Sequence, residues 1–166
     1  MVVVRAPSCH DDGVFADAAY LVALAASSIW FSMAFRYFWF KARGAAKVMV
    51  VPEQRDTPTF KTYVAGVRFL GGFNAAFALM AIVLLVIGLV DSELFTAPGE
   101  RAVVLLVLAA AHASQFAGNV PVLRNGERHD DGAYWPVVSG PMRTIFVVDA
   151  LEAVLHVVAA IIVLAA

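Results

Sequence analysis

The stretch IFVVDALEAVLHVV, Ile145–Val158, sets Asp149, Glu152 and His156 inside an otherwise apolar run. The run extends from about Met142 to Leu164, and about 20 mainly apolar residues suffice for a helix to cross the hydrocarbon core of a bilayer. A charge at that depth costs at least about 2.5 kcal/mol, so such groups turn inward and find partners on neighbouring helices. The stretch therefore predicts one helix of a membrane-embedded bundle rather than a solitary anchor.

Three further stretches qualify as spans: about Ala18–Phe40, Tyr63–Val90 and Ala102–Val120. Of the 166 residues 61% are hydrophobic and only 15% charged, against roughly 25% charged in soluble domains; the mean hydropathy is +0.80. The connections carry helix breakers. Pro52 and Pro58 lie in the first, Pro98 and Gly99 in the second, and Pro121, Gly126, Gly132, Pro136, Gly140 and Pro141 in the third, marking expected helix ends. The expectation is one domain, an all-α integral membrane protein built as an antiparallel bundle of four transmembrane helices.

Lys and Arg gather on the cytoplasmic side of membrane proteins. Arg36, Lys41, Arg43, Lys47, Arg55, Lys61 and Arg68 flank the first connection, and Arg124, Arg128 and Arg143 the third; only Arg5 and Arg101 lie at the opposite end, with Asp11, Asp12, Asp17, Asp91, Glu93 and Glu100. Both termini are thus expected on the non-cytoplasmic side of a plasma or inner membrane. The aromatic clusters RYFWFK, Arg36–Lys41, and YWP, Tyr134–Pro136, fall near the basic boundary, as an interfacial belt does. The N-terminus lacks a basic segment followed by a short apolar one, so it does not read as a cleaved signal peptide. The first span is expected to insert as an uncleaved anchor.

Several classes of function are disfavoured. A net charge of -1 supplies no basic field, and no zinc-finger or helix-turn-helix pattern occurs, so nucleic acid is not an expected partner. The single Cys9 can form neither an internal disulfide nor a CxxC pair. There is no phosphate loop, nucleophile elbow, zinc-protease or dinucleotide fingerprint, and catalysis is less expected than binding.

Within the spans, Gly71 with Ala75, Gly72 with Ala76, and Ala113 with Ala117 form small-xxx-small faces of the kind that lets transmembrane helices approach closely. Packing within the chain is the expectation for the Gly71–Gly72 face; a second subunit is the alternative. Counted from the basic ends at 1.5 Å per residue, Asn74, His112 and Glu152 fall at one depth, with Ser32, Gln115 and Asp149 close by. His112, Gln115 and Asn119 repeat at i, i+3, i+7, as do Asp149, Glu152 and His156, so each set shares a helical stripe. A polar seam between facing helices is expected, with Glu152 beside His112 and with Arg36 and Arg68 either within reach of Asp149 or snorkelling to the headgroups; the plain reading of such pairs is that they hold the bundle together. In the third connection His129, Asp130 and Asp131, and near the N-terminus His10, Asp11 and Asp12, are candidate divalent-cation groups whose plainer reading is a hydrated turn.

Four functions fit such a seam. His112, Asp149, Glu152 and His156 are all metal-ligating types, but the Glu-x-x-His pattern of bundle di-iron sites is incomplete. An axial haem pair of His112 and His156 is disfavoured by a depth difference of about six residues, roughly 9 Å. A proton or ion relay is the second, and a pocket for a lipid, quinone or sterol-like headgroup the third. The fourth is an accessory subunit of a larger membrane assembly, since almost no extramembrane mass remains. The sequence favours an accessory subunit or a hydrophobic-ligand module, partnered by membrane lipids and by other membrane subunits or copies of itself. Ion-coupled transport, or an enzyme with a metal in the bundle, is the alternative; no particular cofactor is implied.

Overall fold

The computed structural model describes residues 9–90, 93–128 and 135–166. The candidate groups His129, Asp130 and Asp131 and the belt residue Tyr134 lie outside the described residues, as do the side chains of His10, Asp11 and Asp12. The described chain is all-helical: α1 Cys9–Phe35 continues into a π-helical turn, Arg36–Phe40; then come α2 Ala42–Met49, a short 3-10 turn, α3 Pro58–Leu89, α4 Pro98–Arg124 and α5 Gly140–Ala165. Four of these helices are long and apolar enough to cross a membrane, which makes this the expected four-helix transmembrane bundle.

The helices outrun the apolar stretches because their ends are set by backbone caps rather than hydropathy. Pro58, Pro98 and Pro141 do not stop helices; they sit in the first turns of α3, α4 and α5, where a missing N–H costs nothing and the fixed φ suits the helix. Thr57 caps α3, its hydroxyl oxygen accepting from the Phe60 N–H at 3.3 Å. Pro121, expected to end the third span, lies inside the last turn of α4, which continues to Arg124. The first connection holds an unexpected helix: α2 buries Ala42, Ala45 and Ala46 at i, i+3, i+4 against α3 while Arg43 and Lys47 face out, an amphipathic pattern suited to an interface.

Helix α1 is the centre of the bundle. It packs on α3 along one side and on α5, with a smaller contact to α4, along another; α4 and α5 pair extensively, whereas α3 has no broad contact with either. Tyr20, Ala23, Leu24, Ser27 and Phe31 form its buried stripe. The outside is apolar, with Val22, Ile29, Phe69, Leu79, Leu106, Leu151, Val154 and Ile161 all exposed, as expected for a surface solvated by lipid tails. Gly71 is buried inside the chain: a Cβ there would stand 2.8 Å from the Trp39 backbone nitrogen, so the π turn and α3 touch backbone to backbone. At the acidic end Asp17 pairs with Arg101, whose guanidinium also lies 5.0 Å over the Tyr20 ring.

Candidate intramembrane site

The stripe on α5 anticipated from its spacing is present. Asp149, Glu152 and His156 are 3%, 9% and 0% exposed, and His112 of α4 is 0% exposed. Their pairing differs from the expected one. Asp149 Oδ1 accepts from His112 Nδ1 at 2.9 Å and from the Trp30 indole N–H at 2.9 Å. The expected arginines do not pair with it: Arg36 and Arg68 are exposed, their long stems carrying the charge outward from the bundle. Glu152 lies beside His156 as well as His112, its Oε2 3.6 Å from His156 Nδ1.

The two histidines, expected to be too far apart in depth, meet with ring centroids 5.4 Å apart. Two effects close the gap. Because α4 runs to Arg124 and α5 starts at Gly140, His112 is twelve residues from its helix end and His156 sixteen, a difference of about 6 Å rather than 9 Å. Side chains also lean toward the N-terminus of their own helix, and α4 and α5 are antiparallel, so the two imidazoles lean toward each other.

Ser27 joins them. Its Oγ lies 2.9 Å from His156 Nε2 and 3.2 Å from His112 Nε2, and Phe31 stacks on the His112 ring at 4.6 Å. The partners assign the ring hydrogens. His156 Nδ1 is 2.7 Å from the backbone oxygen of Glu152, so that nitrogen carries a hydrogen and donates. Asp149 Oδ1 receives two N–H donors, as a carboxylate oxygen does, which places the other hydrogen on His112 Nδ1. Both Nε2 atoms then present lone pairs to Ser27, whose one hydroxyl hydrogen serves only one of them. Two Nε2 lone pairs thus face one hydroxyl hydrogen, and Glu152 Oε2 lies buried beside the His156 ring without a hydrogen-bond partner among the described residues.

Other members of the expected seam lie elsewhere. Asn74 donates to the Leu70 carbonyl of its own helix, Asn119 donates to the Gln115 carbonyl and accepts from the Trp135 indole, and Gln115 is exposed. Ser32 is half-buried, five residues and so about 140° around α1 from Ser27. Trp30 does not stand out in the sequence; with Ser27 and Phe31 it completes an i, i+3, i+4 set on α1, the one signal that points to it.

Where α3 stands apart from α4 and α5, a furrow of about 800 Å³ opens toward the basic end, with Trp30, Phe31 and Tyr37 along α1 and the π turn, Phe73 and Phe77 on α3, and Met142 and Ile145 on α5. Asn74, Gln115, Asn119 and Trp135 also line it, and Asp149 supplies the one carboxylate among the described residues of the lining. No protein family, no curated protein and no solved structure matches this chain.

Proposed function

We propose that this is an integral membrane protein that binds a hydroxyl-bearing amphiphile of the sterol, isoprenol or quinol class in the furrow, with its basic end in the cytoplasm and both termini on the far side of a plasma or inner membrane. The observation that carries the reading is an aromatic-walled furrow of about 800 Å³ with a buried carboxylate, Asp149, in its lining. That volume is typical of small-molecule sites, which combine apolar walls with a few orienting polar groups. Asp149 Oδ1 is engaged by Trp30 and His112; Oδ2 remains as acceptor for a ligand hydroxyl. An apolar tail leaves between α3 and α4, where surrounding lipid accommodates it. The orientation rests on the gathering of ten of the twelve Lys and Arg residues at one end of the bundle.

Gly66 provides the test, because it lines the furrow and a Cβ there meets nothing within 4 Å. Gly66→Phe fills the space without disturbing the helix contacts. Protein extracted in mild detergent is stripped with organic solvent and its lipids identified by mass spectrometry. Wild type is expected to retain one hydroxylated lipid near one per chain, and Gly66→Phe to lose it. Bulk membrane lipid in equal amounts from both proteins overturns the reading.

A further inference from the structure

We propose that His112, His156 and Glu152 form a divalent transition-metal site of the zinc type, with Nε2 of each histidine and Oε2 of the glutamate as ligands. These three residues offer ligand atoms that all lie within 4.8 Å of one another. At zinc bond lengths of about 2.0–2.2 Å, the side chains need to close by about an ångström. Both Nε2 atoms already converge on one point, the Ser27 hydroxyl.

What surrounds the ligands also fits. A metal-bound histidine characteristically gives its other N–H to a carboxylate or a backbone carbonyl, which fixes the tautomer and the ring. His112 gives Nδ1–H to Asp149, and His156 gives Nδ1–H to the Glu152 carbonyl. Phe31 and the serine hold the rings from the α1 side. Glu152 Oε2 is the independent sign of a missing cation: a buried acceptor 3.6 Å from the His156 ring that receives no hydrogen bond among the described residues. Charge balance points the same way, since a divalent ion neutralises the two carboxylates, Asp149 and Glu152, where an uncompensated charge is costly. Two histidines and one carboxylate leave a fourth position for Ser27, water or a ligand atom, as in open zinc sites.

The test uses full-length protein in detergent, freed of metal with a chelator and titrated with Co²⁺ alone, then with Zn²⁺ in competition. Visible d–d absorption of bound Co²⁺ is expected to saturate at one per chain and to vanish when Zn²⁺ displaces it. Glu152→Gln keeps the side-chain shape and is expected to weaken binding at least about 100-fold; Asp149→Asn, acting through His112, weakens it about 10–100-fold. Ser27→Ala keeps all three ligands and retains the bands. Each variant is first shown to be helical by circular dichroism. Failure of folded wild type to take up Co²⁺ or Zn²⁺ at one per chain overturns the proposal, and so does unchanged binding by the His112→Ala/His156→Ala double variant. The site does not depend on the furrow's ligand: Gly66→Phe is expected to bind Co²⁺ as wild type does.

Discussion

Ser27 and Ser28 are adjacent and both buried, yet their hydroxyls do different work. Ser28 donates at 2.7 Å to the Leu24 carbonyl of its own helix, a bond that already-paired backbone does not need. Ser27 bridges two other helices through His112 and His156. Ser27→Ala is therefore expected to cost about 1 kcal/mol, within the range of interhelical hydrogen bonds in membranes, and Ser28→Ala under about 0.5 kcal/mol. Thermal unfolding of the metal-free proteins in one detergent checks the difference; equal losses would mean that the bridge carries no stability. Asp149, Glu152 and His156 can be singled out in the sequence because an ionisable group in an apolar run stands out alone. Ser27 can be placed with Ser28 at the depth of His156 but not told apart from it, and Trp30 cannot be singled out, because a serine and a tryptophan are ordinary in a span and their importance depends on what stands opposite.

At the scale of elements, the π turn and α3 approach each other closely at Gly71. A Cβ on Gly71 would come within 2.8 Å of the Trp39 nitrogen and 3.1 Å of the Phe38 carbonyl carbon, backbone atoms that cannot swing away. Gly71→Ala is expected to cost about 1–3 kcal/mol, the usual range for overpacking. The next residue is a control: at Gly72 a Cβ meets only the Trp39 side chain, at 3.7 Å, and Gly72→Ala is expected to be neutral or to stabilise by up to about 1 kcal/mol through helix propensity. The two midpoints in chemical unfolding separate these outcomes; a Gly71→Ala protein as stable as wild type would show that the π turn and α3 do not meet backbone to backbone. Small residues at a spacing of four mark a close-packing face in the sequence alone. Which of two adjacent glycines makes the approach depends on the rotation of α3 about its axis, which composition does not encode.

For the whole molecule, the proposed orientation can be read with the chain's own single thiol. Cys9 begins α1, and with the basic end cytoplasmic it is expected to react in intact cells with a membrane-impermeant maleimide. A Glu53→Cys probe in the basic-end connection, on a Cys9→Ser background, is expected to react only after permeabilisation. The reverse pattern would invert the topology and with it the assigned sides of the furrow and the metal site.

The sequence by itself determined the four spans, the antiparallel order, the segregation of charge to one end and the α5 stripe of Asp149, Glu152 and His156. These follow from properties that each residue carries alone or along one helix: transfer free energy, charge and the 3.6-residue period. Only the tertiary structure decided that Asp149 takes His112 and Trp30 rather than an arginine, that the histidines meet across Ser27, and that α3 stands apart to leave a furrow. Those outcomes depend on helix rotation, on where caps end each helix and on the opposite lean of side chains on antiparallel neighbours. A few residues' difference in a helix end moves a side chain by several ångströms, and a hydrogen bond survives an error of only a fraction of one.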